Sequence, residues 1–498
     1  MGTLPSEPRI AYLQPGQLIP RDARDALHSF NVSTTALALL GSLADAGYED
    51  LHFFDVACEQ GDLLRDFNEN LLYKGVSDAD VTAWLRNVDP HVVCLTSMFT
   101  CDHPSVDHLC TLVGKAVPDA TIIVGGRHAS LKPDWTLENS SVDYVVQGEG
   151  EQSLPRLLDN LTGRANGYEP TKIPGVFTLD SFNPAAPKVW PEATLGGSFA
   201  HDMVLFKPDG SFRYKEVIIE DSPKDYLYKQ HATELHSAPL MPTRGCPLAC
   251  RFCGSHFTPE MRPAGVDRLF ADIQYTYEKG VRIFYNISEN FALHKADREL
   301  LEKMADFRDE VGGDFLLAHP NSTFLPVYMG KDGNPDEAFL DLIYRGGTHN
   351  ITISVETFCP RFDDKKLFKK YSVEQVEKLW KSVHKRGMTV HLYMMTGFPD
   401  QTPEELMSDV RQIQDWIERG LVDAASWSNL LYLPGTIYYN QAVEKGQFSE
   451  AGFRKHIDEG FNFFAVPEKF NFSGIKTDKL REALAHLRVG NYDFDISR

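Results

Sequence analysis

Short apolar runs alternate with longer amphipathic ones along two stretches of this chain, and the alternation predicts most of its architecture. In the first stretch, residues 8 to 160, five runs read as strands: RIAYLQP, LHFFDVA, HVVCLTSMF, ATIIVGG and VDYVVQG. Segments with apolar residues three and four apart lie between them and read as helices. SFNVSTTALALLGSLADAGY is one, with Ser and Thr near its start and Gly47 at its end; the stretch from Pro104 to Val117 is another. Strands alternating with helices predict a parallel, doubly wound α/β sheet. Such sheets bind ligands beyond the carboxyl ends of their strands. That places Asp55, Ser97, Thr100, Gly125 and Gly126 on one rim.

The rhythm lapses between residues 165 and 237, where Pro, Gly and Asp recur around the β-prone pieces GVFTL, MVLF and EVIIED. This predicts a connector with a few antiparallel strands. From about Ala238 to about Gly446 the alternation returns. APLMPTRGCP reads as a strand entering a loop, followed by RIFYNISENF, FLLAHPN, NITISVE, TVHLYMMTGFP and ASWSNLLYLPGT. Helical patterns such as VDRLFADIQYTYEKG, VEQVEKLWKSVHKRG and PEELMSDVRQIQDWIERG fill the gaps. The expectation is an α/β barrel with its working groups at the strand C-terminal ends. The tail, 447 to 498, contains two helical patterns, AGFRKHIDEGFNFF and DKLREALAHLRVG, expected across the barrel's mouth or flank. The predicted divisions are therefore 1–164, 165–237, 238–446 and 447–498.

Composition narrows the functional classes. A length of 498 residues with 42% hydrophobic content suits two or three domains with sizeable cores. The net charge of −20 argues against a nucleic-acid groove, because phosphate contacts need clustered Lys and Arg. No apolar run approaches the ~18 residues of a membrane span, and the first residues lack a signal-peptide pattern. Eight cysteines, five of them scattered, do not form a disulfide framework. A reducing cytoplasm is the expected compartment.

The remaining three cysteines carry the sharpest signal. Cys246, Cys250 and Cys253 stand in a C-x3-C-x2-C pattern within RGCPLACRFCG. Three thiolates on one short loop can hold three corners of a [4Fe–4S] cluster and leave one iron without a protein ligand. An open iron means chemistry as well as electron storage. His256 leaves a Cys3His zinc site as the alternative by ligand type, although all four ligands would crowd into one turn.

The loop resembles the cluster loop of radical S-adenosylmethionine (SAM) enzymes, including the aromatic Phe252 before the last cysteine. The resemblance implies a partial (β/α)6 barrel whose open iron chelates SAM. It places the turn that binds the SAM amino group at Ser288, Glu289 and Asn290. It also implies a carboxylate at the fourth strand's tip, Glu356, facing a SAM ribose or the substrate. TGFPDQT and PGT match the cobalamin-associated class of this family, with Gly397, Pro434 and Gly435 lining the adenosine. Cys359, just beyond Glu356, is a candidate hydrogen donor or a small buried hydrophobe.

The first stretch in turn resembles the cobalamin-binding domain that precedes the barrel in that class. Ser97 and Gly125–Gly126 match positions that accept the nucleotide tail, with Asp55 and Thr100 on the same rim. The GEGE run from Gly148 and Glu149 opens a helix after the fifth strand. The loop DVACEQG keeps Asp55 but lacks the cobalt-ligating histidine of D-x-H-x-x-G, and puts Cys58 below the corrin. A vestigial, empty domain or a flavodoxin-like scaffold stays open as an alternative. The resemblance implies three cofactors: a [4Fe–4S] cluster, SAM and cobalamin. It further implies a small-molecule substrate and a flavodoxin or ferredoxin-type electron donor, with no nucleic-acid or membrane partner. The commonest activity of the class is methylation of an unactivated carbon or phosphorus centre. The alternative is a non-methylating radical rearrangement, cyclisation, dehydration or epimerisation.

Overall fold

The computed structural model describes residues 4–21, 32–59, 64–164, 172–181, 198–214, 236–248, 250–257, 260–359, 361, 373–460 and 468–496. It divides into two compact units: residues 1–217 with 449–461, and residues 218–448 with 462–498.

In the first unit, β1 (Ile10–Gln14), β3 (Leu51–Asp55), β6 (Val92–Thr96), β7 (Thr121–Gly125) and β8 (Tyr144–Val146) are the five expected strands. They run parallel in the order β3-β1-β6-β7-β8, and β9 (Val176–Phe177) adds an antiparallel edge. The order reverses between β1 and β6, the switch point where doubly wound sheets bind ligands. Helices cover both faces because the strands are apolar on both sides: Ala11, Leu13, Val93 and Leu95 are buried on one, Ile10, Tyr12, Val92 and Cys94 on the other.

Several features differ from the sequence reading. A second sheet, β2 (Gln17–Pro20), β4 (Leu64–Asp66) and β5 (Leu71–Lys74) in the order β2-β5-β4, is antiparallel and was not expected. Its strands are three or four residues long, too short to show a period. MVLF, read as a strand, lies at the end of the helix Ser198–Leu205; EVIIED lies outside the described residues. The tail also divides. Its helix Glu450–Gly460 belongs to the first unit and packs on the helix His103–Ala116. Glu450 pairs with Lys132, Arg454 pairs with Glu138, and Asn70 Nδ2 donates to Glu459 O at 2.7 Å.

In the second unit, β10 (His236–Leu240), β13 (Val281–Asn286) and β14 (Leu316–Ala318) form one parallel sheet. β15 (Asn350–Glu356), β16 (Thr389–Thr396) and β17 (Ala424–Asn429) form another. A parallel bridge between Thr323 and Ile353 joins the two, with Thr323 N donating to Thr352 O at 3.1 Å. The result is a six-stranded partial barrel. Amphipathic helices wrap it; Trp380 and Trp416, both fully buried, meet edge to face at 84° between the helices Val373–His384 and Pro403–Glu418. The entering segment is broken after β10: β11 (Thr243–Arg244) pairs antiparallel with β12 (Arg262–Pro263) and closes the base of the cysteine loop.

Gly126, at the end of β7, has φ +99, and an added Cβ would stand 2.5 Å from Ser97 O and 2.8 Å from its carbonyl carbon. The close approach that demands glycine there is by the chain's own backbone. Gly126→Ala is expected to lower stability by more than about 1 kcal/mol, visible as a lower thermal midpoint. Gly47→Ala, at φ +81 with open space around the added carbon, should cost less. Equal losses at the two positions would show that the crowding has no energetic weight.

Candidate functional site

The cysteine loop is held from several sides. Ala264 N donates to Pro242 O at 2.8 Å beside the β11–β12 ribbon, and Cys253 N donates to Cys250 O at 3.1 Å. None of the three cysteines is in a disulfide; Cys246 is buried, and Cys250 and Cys253 are partly exposed. Two sulfurs receive N–H donors: Asn290 Nδ2 lies 2.8 Å from Cys246 Sγ, and Ser255 N lies 3.4 Å from Cys253 Sγ. Burial pushes the Cys246 thiol up, while the Leu248 N–H and the Asn290 amide draw it back. Such donors stabilise negative sulfur, as a cluster thiolate requires. Among the described residues no three His, Cys, Asp or Glu side chains converge on a single ion. A cubane does not ask for that, since each thiolate takes a different iron. The donor set fits an iron–sulfur cluster; the His256 side chain lies outside the described residues.

The turn after β13 grips this loop directly. Ser288 Oγ accepts from Thr243 N at 3.1 Å, and Glu289 Oε2 accepts from Gly245 N at 3.1 Å. Asn286 Oδ1 accepts from Ser288 N at 2.9 Å and shapes the turn. The structure thus brings Ser288, Glu289 and Asn290 to the base of the cysteine loop.

At the tip of β15 the backbone is strained. Glu356 has φ +65, the sheet register shifts between Ser354 and Glu356, and Thr357 N donates to Val355 O at 2.8 Å. These are the marks of a γ-turn, costing about 1–3 kcal/mol for a residue with a Cβ. Asp409 clamps it: its buried carboxylate accepts from Thr357 Oγ1 at 2.6 Å and Phe358 N at 2.9 Å. Asp409 was missed in the sequence. The available signal was a carboxylate on the apolar stripe of PEELMSDVRQIQDWIERG, between Leu406 and Ile413. Cys359 sits beyond the turn, with its thiol donating to Glu405 Oε1 at 3.3 Å. Arg361 bonds the same carboxylate at 2.6 Å and holds its pKa down to about 2; burial raises the Cys359 thiol.

Gly397 (φ +84) ends β16, donates its N–H to Gln401 Oε1 at 2.8 Å, and has Asn429 Oδ1 where a Cβ would go. A side chain of the protein, therefore, imposes glycine at this position. Pro434 and Gly435 (φ +84) precede Thr436, which caps the helix Ile437–Glu444 by accepting from Tyr439 N at 3.2 Å. Phe252 is partly exposed.

On the first unit's rim, Ser97 is fully buried, and its N–H donates to Gly125 O at 2.8 Å, but its Oγ has no hydrogen-bond partner among the described residues. Thr100 Oγ1 lies 3.1 Å from His128 Nδ1, and the His103 and His128 rings stand 4.6 Å apart. His103 Nδ1 and His128 Nε2 are also buried without partners among the described residues, and burial lowers both imidazoles, His103 to about 4. Neither histidine was anticipated; each sits one turn or less beyond a residue that was. Buried polar atoms without partners are rare in a folded chain unless a ligand or water completes them. The cradle fits a ligand with its own polar atoms, as the nucleotide tail of cobalamin has. Gly148 N donates to Ser130 Oγ at 2.8 Å, and Glu149 stands at the N-cap of the helix Gly150–Leu161.

The loop after β3 is closed by the connector. Asp55, fully buried, accepts from Tyr214 Oη at 2.8 Å and from Ala57 N at 3.0 Å. Burial raises its carboxyl to about 6 despite Tyr214 and Arg213. Arg213 pairs with Glu59 and stacks 5.0 Å from the Phe53 ring centroid. Cys58 is buried beside Asp55, and burial pushes its thiol up. The connector, to which no chemistry was assigned, supplies this polar lid.

Comparisons with known proteins bear on both units. Residues 36–158 match the B12 binding domain, and residues 240–413 match the radical SAM superfamily. The chain is 24% identical over 402 residues to cytidylyl-2-hydroxyethylphosphonate methyltransferase of Streptomyces wedmorensis, covering 76% of this chain and 72% of that protein. It is 26% identical over 256 residues to the hopanoid C-3 methylase of Methylococcus capsulatus, covering 48% and 44%. Its fold resembles the radical SAM methyltransferase TsrM of Kitasatospora setae, solved with cobalamin and a [4Fe–4S] cluster. The TM-score is 0.63 at 17% identity, covering 89% of this chain and 78% of that one. With a B12-binding domain followed by a radical SAM domain, the chain belongs to the cobalamin-binding radical SAM enzymes.

Proposed function

We propose that this protein is a cobalamin-dependent methyltransferase acting on an unactivated carbon or phosphorus centre of a small molecule. The observation that carries the reading is a pairing within one chain: a three-cysteine loop with N–H donors aimed at its sulfurs, and a sheet rim with a buried, unpartnered Ser97 hydroxyl. The named relatives are methyltransferases, which favours methylation over a radical rearrangement or elimination. When bound, the cluster, SAM and corrinoid supply one-electron cleavage and a methyl carrier. Everything else is placement and electrostatics by the chain.

Cys246, Cys250 and Cys253 would hold three irons, with Asn290 and Ser255 N tuning two of the sulfurs. Glu289, already bonded to Gly245 N, and Asn290 offer oxygens to the SAM ammonium. Glu356, aimed by the Asp409 clamp, would meet a ribose hydroxyl or the substrate. Cys359 shares Glu405 with Arg361, which favours a protonated thiol able to give up hydrogen. Ser97 would hydrogen-bond the nucleotide tail beside Gly125 and Gly126. Asp55 and Tyr214 close the loop after β3 without offering a histidine to cobalt. A flavodoxin or ferredoxin-type protein would deliver the electron. Among the described residues no helix is long and apolar enough to cross a membrane.

SAM carrying a CD3 group should pass three deuteriums to the product, with S-adenosylhomocysteine and 5′-deoxyadenosine formed in equal amounts. Replacing the three cysteines by alanine should abolish both the iron and the 5′-deoxyadenosine. A product of unchanged carbon count with no S-adenosylhomocysteine would retire methylation.

Ser97→Ala should weaken cobalamin binding about tenfold, the worth of one buried hydrogen bond. Corrin absorbance retained after gel filtration reads this directly. Unchanged retention would remove Ser97 from the tail site.

Asp55 gives a pH dependence. Its folded pKa is raised, so its contribution to stability is present below the ordinary carboxylate value and is lost as pH rises through about 6. Asp55→Asn cannot ionise. Without cobalamin, its thermal midpoint should gain on the parent's between about pH 4 and 6, by roughly 2–4 °C per kcal/mol. Parallel midpoints across that range would show that Asp55 titrates as an exposed carboxyl does.

A further inference from the structure

The turn after β13 grips the cysteine loop, and one buried carboxylate bonds both of them. Asp297 stands in the first turn of the helix Lys295–Glu310 and is only 1% exposed. Part of its work is helix capping: Oδ2 accepts from His294 N at 3.2 Å, and His294 Nδ1 accepts in return from Ala296 N at 3.1 Å. Two further donors belong to no cap. Thr243, at the mouth of the cysteine loop, donates its hydroxyl to Asp297 Oδ1 at 3.3 Å, and Ala292 N donates to the same carboxylate.

A cap in the first unit shows how little capping alone requires. Asp80 closes the same kind of box at the helix Asp78–Val88; it is partly exposed and accepts from Ser77 N and Oγ. Asp297 is buried instead, which raises its carboxyl to about 7 against the pull of its donors. Burying a carboxylate costs stability, and a cap does not need it.

The extra bonds join two pieces that have to meet. Thr243 is held twice, its N–H by Ser288 Oγ at 3.1 Å and its hydroxyl by Asp297. Ala292 lies at φ +59, a left-handed conformation that a residue with a Cβ keeps only where its surroundings compel it. The residue before it is fixed as well. Phe291 O accepts from Thr323 Oγ1 at 3.0 Å, and the Phe291 ring stacks on His319 with centroids 3.7 Å apart. Glu289 and Asn290 run between these anchors and bond Gly245 N and Cys246 Sγ.

We propose that Asp297 is a positioning residue for SAM: it fixes the turn 288–292 against the cysteine loop and so sets how Glu289 and Asn290 face the ligand. It acts through Thr243 and Ala292. The inference rests on the reading in which Glu289 and Asn290 meet the SAM ammonium.

The test is anaerobic SAM titration of the full chain with its cluster reconstituted and reduced. Electron paramagnetic resonance is the readout, because a ligand joining the open iron changes the cluster spectrum. Asp297→Ala should keep about four irons per chain, the content of one cubane cluster. It should weaken SAM binding about tenfold or more. Asp297→Asn can still accept the backbone N–H groups and should stay within about threefold of the parent. His294→Ala removes the other half of the cap; it should lower the thermal midpoint but leave SAM affinity within about twofold. Thr243→Val breaks only the link to the cysteine loop and should cost about fivefold in SAM affinity. That variant decides alone if Asp297→Ala does not fold. Parental SAM affinity in Asp297→Ala, or in Thr243→Val where it stands alone, would overturn the inference. A loss in His294→Ala equal to that in Asp297→Ala would do the same, since it would reduce Asp297 to a cap. A parent whose cluster spectrum ignores SAM would sink the SAM reading and this inference together; where the parent responds, only the role of Asp297 is at stake.

Discussion

Asn290 donates its amide to the Cys246 sulfur, and its neighbour Glu289 accepts the N–H of Gly245; the second unit is arranged around keeping these bonds. A loop with three cysteines is under steady pressure to oxidise, collapse or wander. Sequence-distant anchors stop it: β13 supplies the turn, the β11–β12 ribbon closes the base, and Tyr438 N holds Arg251 O from the far side. Each bond is modest, worth about 1 kcal/mol net. Together they fix where sulfur can be, and a cluster leaves little tolerance there.

The same logic governs the strained tip of β15. A γ-turn at Glu356 persists only because Asp409 over-determines it, one buried carboxylate holding two donors from adjacent residues. Removing Asp409 would release the strain and leave Thr357 and Phe358 without their acceptor. The anionic neighbour Glu405 is instead neutralised by Arg361, so two acids of one helix do opposite work. One sets backbone direction and the other holds Arg361.

In the first unit the decisive quantity is unsatisfied polarity. Ser97, His103 and His128 lie at the strand ends of the sheet with buried atoms that no described residue partners. Asp55 is buried at a cost its partners Tyr214, Arg213 and Ala57 only partly offset. A well-packed scaffold with no ligand would have little reason to keep these groups, since apolar replacements of similar shape would be as stable or more so.

Sequence alone determined the two strand–helix repeats, the five parallel strands of the first unit, the six of the second and the cysteine loop. Those depend on local periodicity and on residue chemistry at fixed spacing, and both are present in a linear string. It also named Ser97, Glu289, Asn290 and Glu356, through the resemblance of their motifs. Tertiary structure decided the rest. The β2-β5-β4 sheet needs β2 to pair with β5, about fifty residues on, and its strands are too short to carry a period. MVLF has strand propensity but caps a helix whose carbonyls bond Arg213. The helix Glu450–Gly460 looks like any tail helix until Lys132 and Glu138 supply its partners. Gly126 and Gly397 match motif positions beside the nucleotide tail and the adenosine. In the fold their neighbours are Ser97 O and Asn429, because which atoms crowd a glycine is set by chain crossings that no local pattern records.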